Sequence, residues 1–155
     1  MISYFSMAIG DGIAINETKI KHTQKHFPDT YDVVQREVYW ARYVDWSVTT
    51  PLLLLDLCFL CGLSGANILV AVVADVIMIL TGLFAAFTSE GGPKWGYYAM
   101  ACIAYLVVVY QLAVNGRHVV MAKDNKTKTF FTAIAGFTFV LWTIYPVYVL
   151  VNDLL

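Results

Sequence analysis

Charge is scarce in this chain: 10 Lys and Arg with 11 Asp and Glu make up 14% of 155 residues, for a net charge of −1. Without a basic block carrying interleaved aromatics, a nucleic-acid surface is excluded. There is no phosphate-cradling glycine motif and no nucleophile elbow, so a conventional enzyme is not expected. Met1 to Asp11 lacks the basic start, short apolar run and small-residue cleavage site of a secretory signal. Cysteine is rare too. Cys58, Cys61 and Cys102 fall in or at the ends of apolar runs and read as small buried hydrophobes, with no disulfide and no metal site expected. His22, His26 and His118 fall in polar segments and read as solvated.

What abounds is apolar: 59% of the residues are hydrophobic, more than a globule of this size can hide. The lipid bilayer is therefore the expected partner. Against a hydrocarbon core that takes about 20 helical residues to cross, four runs are long enough: Glu37 to Leu63, Ala66 to Phe87, Trp95 to Val114, and Phe130 to Val151. Helix is the assignment, since an isolated strand cannot satisfy its backbone in lipid and no barrel-like alternation is present. The expected class is an all-α membrane protein with four full spans.

The connections Cys61 to Gly65, Thr88 to Lys94 and Asn115 to Thr129 make neighbouring helices antiparallel. Arg117, Lys123, Lys126 and Lys128 against Asp124 favour a cytoplasmic third connection. Asn16-Glu17-Thr18 then has the pattern of an outside glycosylation acceptor, and Asn125-Lys126-Thr127 the same pattern on the wrong side, although unmodified asparagine is the commoner outcome for both. Residues 10–36 show no apolar period and read as a long extracellular loop. Met1 to Ile9 is too short to span and reads as the last turns of an earlier helix, so the chain is expected to be incomplete.

Asp45, Asp56 and Asp75 lie inside predicted spans, where ionisable groups are costly enough to suggest function. Asp45 and Asp56 are eleven residues apart, three turns of helix, which puts them on one face about 16 Å apart along the axis. Arg42, one turn to the outer side of Asp45, and Thr49, one turn inward, are placed to support its charge, so Asp45 is expected ionised. Asp56 is flanked by leucines without a basic neighbour at helical spacing and is expected to stay protonated. The alternative is that each Asp is simply hydrogen-bonded to a neighbouring helix, a reading with most weight for Asp75.

The run from Tyr39 to Asp56, YWARYVDWSVTTPLLLLD, resembles the third helix of the proton-pumping microbial rhodopsins. Ala74-Asp75-Val76-Ile77-Met78 with Thr81-Gly82, and Leu141-Trp142-Thr143-Ile144-Tyr145-Pro146, resemble that family's fourth and sixth helices, with the look of its fungal and algal members. The resemblance runs from Tyr39 to the end, as helices three to six of a seven-helix bundle, and assigns residues 1–9 to the end of helix two. It implies all-trans-retinal held as a protonated Schiff base, with Asp45 as counterion and proton acceptor, Arg42 tuning it and Asp56 as proton donor. Thr49 and Thr50 would be hydrogen-bond partners, the latter of Asp75. The pocket would comprise Tyr43, Trp46, Leu53, Met78, Gly82, Trp142, Tyr145 and Pro146. Tyr98 and Val149 depart from the tryptophans that pumps often carry around retinal.

The resemblance thus implies outward light-driven proton transport by an integral protein of the plasma membrane, with retinal and protons as expected partners and a homo-oligomer left open. A sensory or auxiliary rhodopsin, docking a partner on the basic segment Arg117 to Lys128, and a chromophore-free derivative are the alternatives. The family's chromophore lysine belongs on a seventh helix; here Lys19, Lys21, Lys25, Lys94, Lys123, Lys126 and Lys128 all fall in or beside loops. The chain is therefore read as a fragment whose polar faces await missing helices.

Overall fold

The computed structural model describes residues 2–22, 30–88 and 91–154. His26 and Lys25 lie outside them, and Asn16, Lys19, Lys21, His22 and Val149 are described as backbone only. A short helix α1 (Ile2–Ala8) leads into strands β1 (Ala14–His22) and β2 (Thr30–Val38). Helices α2 (Trp40–Cys61), α3 (Gly65–Phe87) and α4 (Gly91–Tyr110) follow; α4 runs through a π-helical turn (Gln111–Gly116) into α5 (Arg117–Val120), and α6 is Asn125–Leu154. Four segments are long and apolar enough to cross a membrane: Trp40–Cys61, Gly65–Phe87, Gly92–Val120 and Asn125–Tyr148. Their backbones close their own hydrogen bonds, which lipid requires.

Several boundaries depart from expectation. The segment 10–36, expected as loop, forms an antiparallel hairpin from Ala14↔Val38 to His22↔Thr30. Its strands carry β-branched residues in both arms (Ile15, Thr18, Ile20; Thr30, Val33, Val34, Val38), which suit a pleated ribbon even though no single face is apolar. Glu17 and Gln35 face each other across it, and the Gln35 amide donates to the Glu17 carboxylate at 3.2 Å. Because β2 extends to Val38, α2 starts at Trp40 rather than Glu37. Gly12 holds the hairpin's base against α2: its φ is +78° and a Cβ there would lie 2.6 Å from the Ala41 Cβ.

The polar connection expected over Asn115 to Thr129 shrinks to Met121–Asp124. The helix survives its polar residues because the Asn115 side-chain amide donates to the Gln111 side-chain oxygen at 2.7 Å, leaving the backbone ladder to continue. α6 likewise starts at Asn125 rather than Phe130, its first turn polar and outside the apolar run. At the same end, Gly62 closes α2 in the left-handed conformation and the Lys123 ammonium donates to the Leu60 carbonyl at 3.3 Å, a cation on a helix C-terminus.

The core sits at this end, away from the hairpin. Leu54, Leu57, Cys58 and Cys61 of α2 pack with Ala71 and Ala74 of α3, Val108, Leu112 and Val120, and Phe131 and Ala135 of α6. Small residues let the backbones approach, as membrane helices favour; at Gly116 an added Cβ would stand 3.0 Å from Phe131 Cζ. Cys58 and Cys61 are buried and Cys102 half-buried.

Candidate functional site

Along its length, α2 offers two different faces. One carries Thr50, which meets α3. The Thr50 hydroxyl lies 2.7 Å from the Trp46 carbonyl and 2.7 Å from the Asp75 Oδ2. A hydroxyl has one proton for these two acceptors. If Thr50 donates to the carbonyl, a protonated Asp75 donates to Thr50, and both contacts are satisfied. Asp75 is fully buried and its Oδ1 has no partner among the described residues. The two-to-one geometry and the burial make this pair an inter-helix tie. Thr50→Val is expected to cost about 1 to 3 kcal/mol, the penalty of a stranded buried polar group, read as a lower melting temperature in detergent, while Thr50→Ser keeps most of it.

The other face carries Asp45, Thr49 and Asp56, and no described element covers it: Asp45 is partly exposed, Thr49 and Asp56 are exposed, and Leu53 beside them is 39% exposed. Asp56 is therefore not enclosed among the described residues as its leucine neighbours suggested. Those leucines divide between the buried side (Leu54) and the open side (Leu52, Leu53) of the same helix. Polar groups on an open helix face are costly in hydrocarbon, so this stripe belongs against protein or water rather than acyl chains.

Two expected contacts of Asp45 take another form. The Thr49 hydroxyl donates to the Asp45 backbone carbonyl at 2.9 Å, not to the carboxylate, because a threonine one turn along reaches the i−4 carbonyl within its own helix. The Arg42 guanidinium forms no ion pair with Asp45; it lies over the rings of Tyr39 and Trp46, 5.5 and 5.9 Å from their centroids, with its buried Nε without a partner among the described residues. The cation thus sits one turn away, held by aromatic faces.

Next to Asp45, side chains from α2 and α6 form an aromatic wall. Trp46 meets Tyr145 of α6 edge to face, centroids 5.0 Å apart and planes at 86°, and Tyr43 meets Trp46 at 5.8 Å. The Tyr43 and Tyr145 hydroxyls are 3.2 Å apart. Gly82 of α3 backs this group, with room for a Cβ only at contact distance, 3.7 Å, from Tyr43. Trp142 packs against the core and Met78 is half-buried. The structure thus brings together Tyr43, Trp46, Gly82 and Tyr145, and separately Thr50 with Asp75, while Thr49, Leu53 and Asp56 stand on the open face.

Contacts from α4 were not anticipated. The Tyr98 hydroxyl donates to the Pro146 carbonyl at 3.0 Å, and the Tyr105 hydroxyl lies 2.6 Å from that of Thr143. The only sequence signal was a phenol inside an apolar run, which in lipid demands an acceptor.

Comparison with known proteins accords with this arrangement. Residues 1–153 match the family of bacteriorhodopsin-like proteins. Opsin-1 of Neurospora crassa is 49% identical over 149 residues, 94% of this chain and 49% of that protein. A light-driven proton pump from Leptosphaeria maculans is 56% identical with a TM-score of 0.86, covering 94% of this chain and 60% of that one. The light-driven proton pump of Coccomyxa subellipsoidea is 35% identical with a TM-score of 0.78, over 94% of this chain and 59% of that one. The chain spans about half the length of the curated relatives it matches. It is an integral membrane protein of α-helical spans, and it belongs to the bacteriorhodopsin-like family.

Proposed function

We propose that this chain is the central part of a retinal-binding, light-driven outward proton pump of the plasma membrane, with residues 2–8 ending a preceding span and the hairpin facing outside. The observation that carries the reading is the pair of carboxylates, Asp45 and Asp56, eleven residues apart on one open face of a spanning helix and beside an aromatic wall. The two similar light-driven proton pumps, of Leptosphaeria maculans and Coccomyxa subellipsoidea, support the same reading.

The residues present fit the noncovalent part of a retinal pocket. The edge-to-face pair Trp46–Tyr145, backed by the bare Cα of Gly82, offers an apolar aromatic surface, and the Asp75 Oδ1, without a partner among the described residues, is a buried polar point beside Thr50. Tyr43, Leu53, Met78, Trp142 and Pro146 would complete the lining. Lys19 and Lys21 lie in the hairpin and Lys94, Lys123, Lys126 and Lys128 at or beyond the ends of spans, so the lining residues account for shape and charge, not for covalent attachment. Retinal, when bound, would supply the light absorption and, through its linkage, a proton-binding site whose affinity would change on excitation.

The side chains do the rest. The Asp45 carboxylate, open on its face, accepts the proton on the hairpin side, with the Arg42 charge one turn farther out. Asp56, three turns toward the opposite end, returns a proton and refills from the cytoplasmic side. Their order along α2 sets the direction: an acceptor facing out and a donor facing in move protons outward. The test is illumination of cells carrying the full-length protein with added all-trans-retinal. Acidification of the medium, lost with a protonophore, is expected; no light-driven pH change, or alkalinisation, refutes outward pumping.

A further inference from the structure

Helix α6 is weakened at two points that flank Trp142. The Thr143 hydroxyl lies 2.6 Å from the Phe139 carbonyl and shares it with the helical N–H, which loosens that turn. Pro146 has no N–H for the Trp142 carbonyl. Facing these points, α4 carries Tyr98 and Tyr105, seven residues and two turns apart on one side. Tyr98 donates to the Pro146 carbonyl at 3.0 Å. Because the Thr143 proton goes to Phe139, Tyr105 donates to Thr143 at 2.6 Å, closing a directed chain from Tyr105 through Thr143 to the backbone. The Tyr105 hydroxyl also lies 3.4 Å from the Phe139 carbonyl.

We propose that Tyr98 and Tyr105 are positioning residues that clamp the loosened stretch of α6 from Phe139 to Pro146 and thereby fix Trp142 and Tyr145 in the aromatic wall. Neither hydroxyl needs to touch a ligand; each acts through the α6 backbone. The consequence for a chromophore rests on the proposed function, whereas the clamp itself does not.

The test uses full-length protein in lipid nanodiscs without retinal, with Cys102 replaced by alanine and a nitroxide on Tyr148→Cys, an exposed position just past Pro146. Tyr98→Phe and Tyr105→Phe each remove one hydroxyl. Each is expected to raise the mobile fraction of the nitroxide spectrum by roughly threefold to tenfold, the factor that goes with one interhelical hydrogen bond in a membrane. Thr143→Ser, which keeps the hydroxyl that Tyr105 meets, should leave the spectrum unchanged. Line shapes unaltered in both tyrosine variants would overturn the clamp. Adding all-trans-retinal separates the two claims. A visible band with unaltered nitroxide spectra sinks the clamp alone. Loosened α6 in a protein that gains no band sustains the clamp and sinks the pump.

Discussion

Replacing Asp45 with asparagine is expected to abolish light-driven proton transport, lowering the initial rate of acidification by about a hundredfold or more, the scale of a lost acid–base group. The substitution keeps size and shape and removes only the ability to take up a proton. The fold should persist, because Asp45 makes no side-chain hydrogen bond or ion pair among the described residues and its face is open. Retinal binding, read as a visible band, should therefore survive while transport does not. Loss of both would mean that Asp45 is structural, and undiminished transport would remove it from the proton path.

The second large effect is at Asp56, three turns along the same face. Asp56→Asn should leave the first proton release intact but slow recovery of the resting state by roughly a hundredfold. Recovery would then draw protons from bulk water, so its rate should fall about tenfold for each unit rise in pH, a dependence that the protein with its own donor lacks. A small permeant weak acid should restore speed by replacing the missing carboxyl. Flash spectroscopy across pH measures all three. A recovery time unchanged by Asp56→Asn would assign the donor elsewhere.

How much of this was legible in the sequence depends on the range of the interaction. The spans were legible because a hydrophobic run of about 20 residues has one solution in lipid. The shared face of Asp45 and Asp56 followed from 3.6 residues per turn. The hairpin was not legible: its β-branched residues are interspersed with Glu17, Lys19 and Lys21, so neither strand shows the apolar alternation that marks a half-buried ribbon. Asn115 and Arg117 looked like a loop because polarity alone cannot separate a connection from a helix that emerges from the bilayer.

Within the site, contacts along one helix were only partly readable. Thr49 stands where either the Asp45 carboxylate or its carbonyl is in reach, and the structure chooses the carbonyl. Arg42 could pair with charge or with rings, and it takes the rings. Thr50–Asp75 was anticipated from resemblance, and its distance of 2.7 Å makes it a direct bond. Tyr98 with Pro146 and Tyr105 with Thr143 are 48 and 38 residues apart, and their meeting depends on the rotation of α4 against α6, which no local pattern encodes.

Light-minus-dark infrared spectroscopy of the full-length protein with retinal tests the central claim, that Asp45 receives the proton and Asp56 supplies its replacement. The account predicts a carboxylic-acid carbonyl band that rises after the flash and vanishes in Asp45→Asn, followed by a transient loss of a second such band that vanishes in Asp56→Asn. A light-induced carboxyl signal indifferent to both substitutions would contradict it.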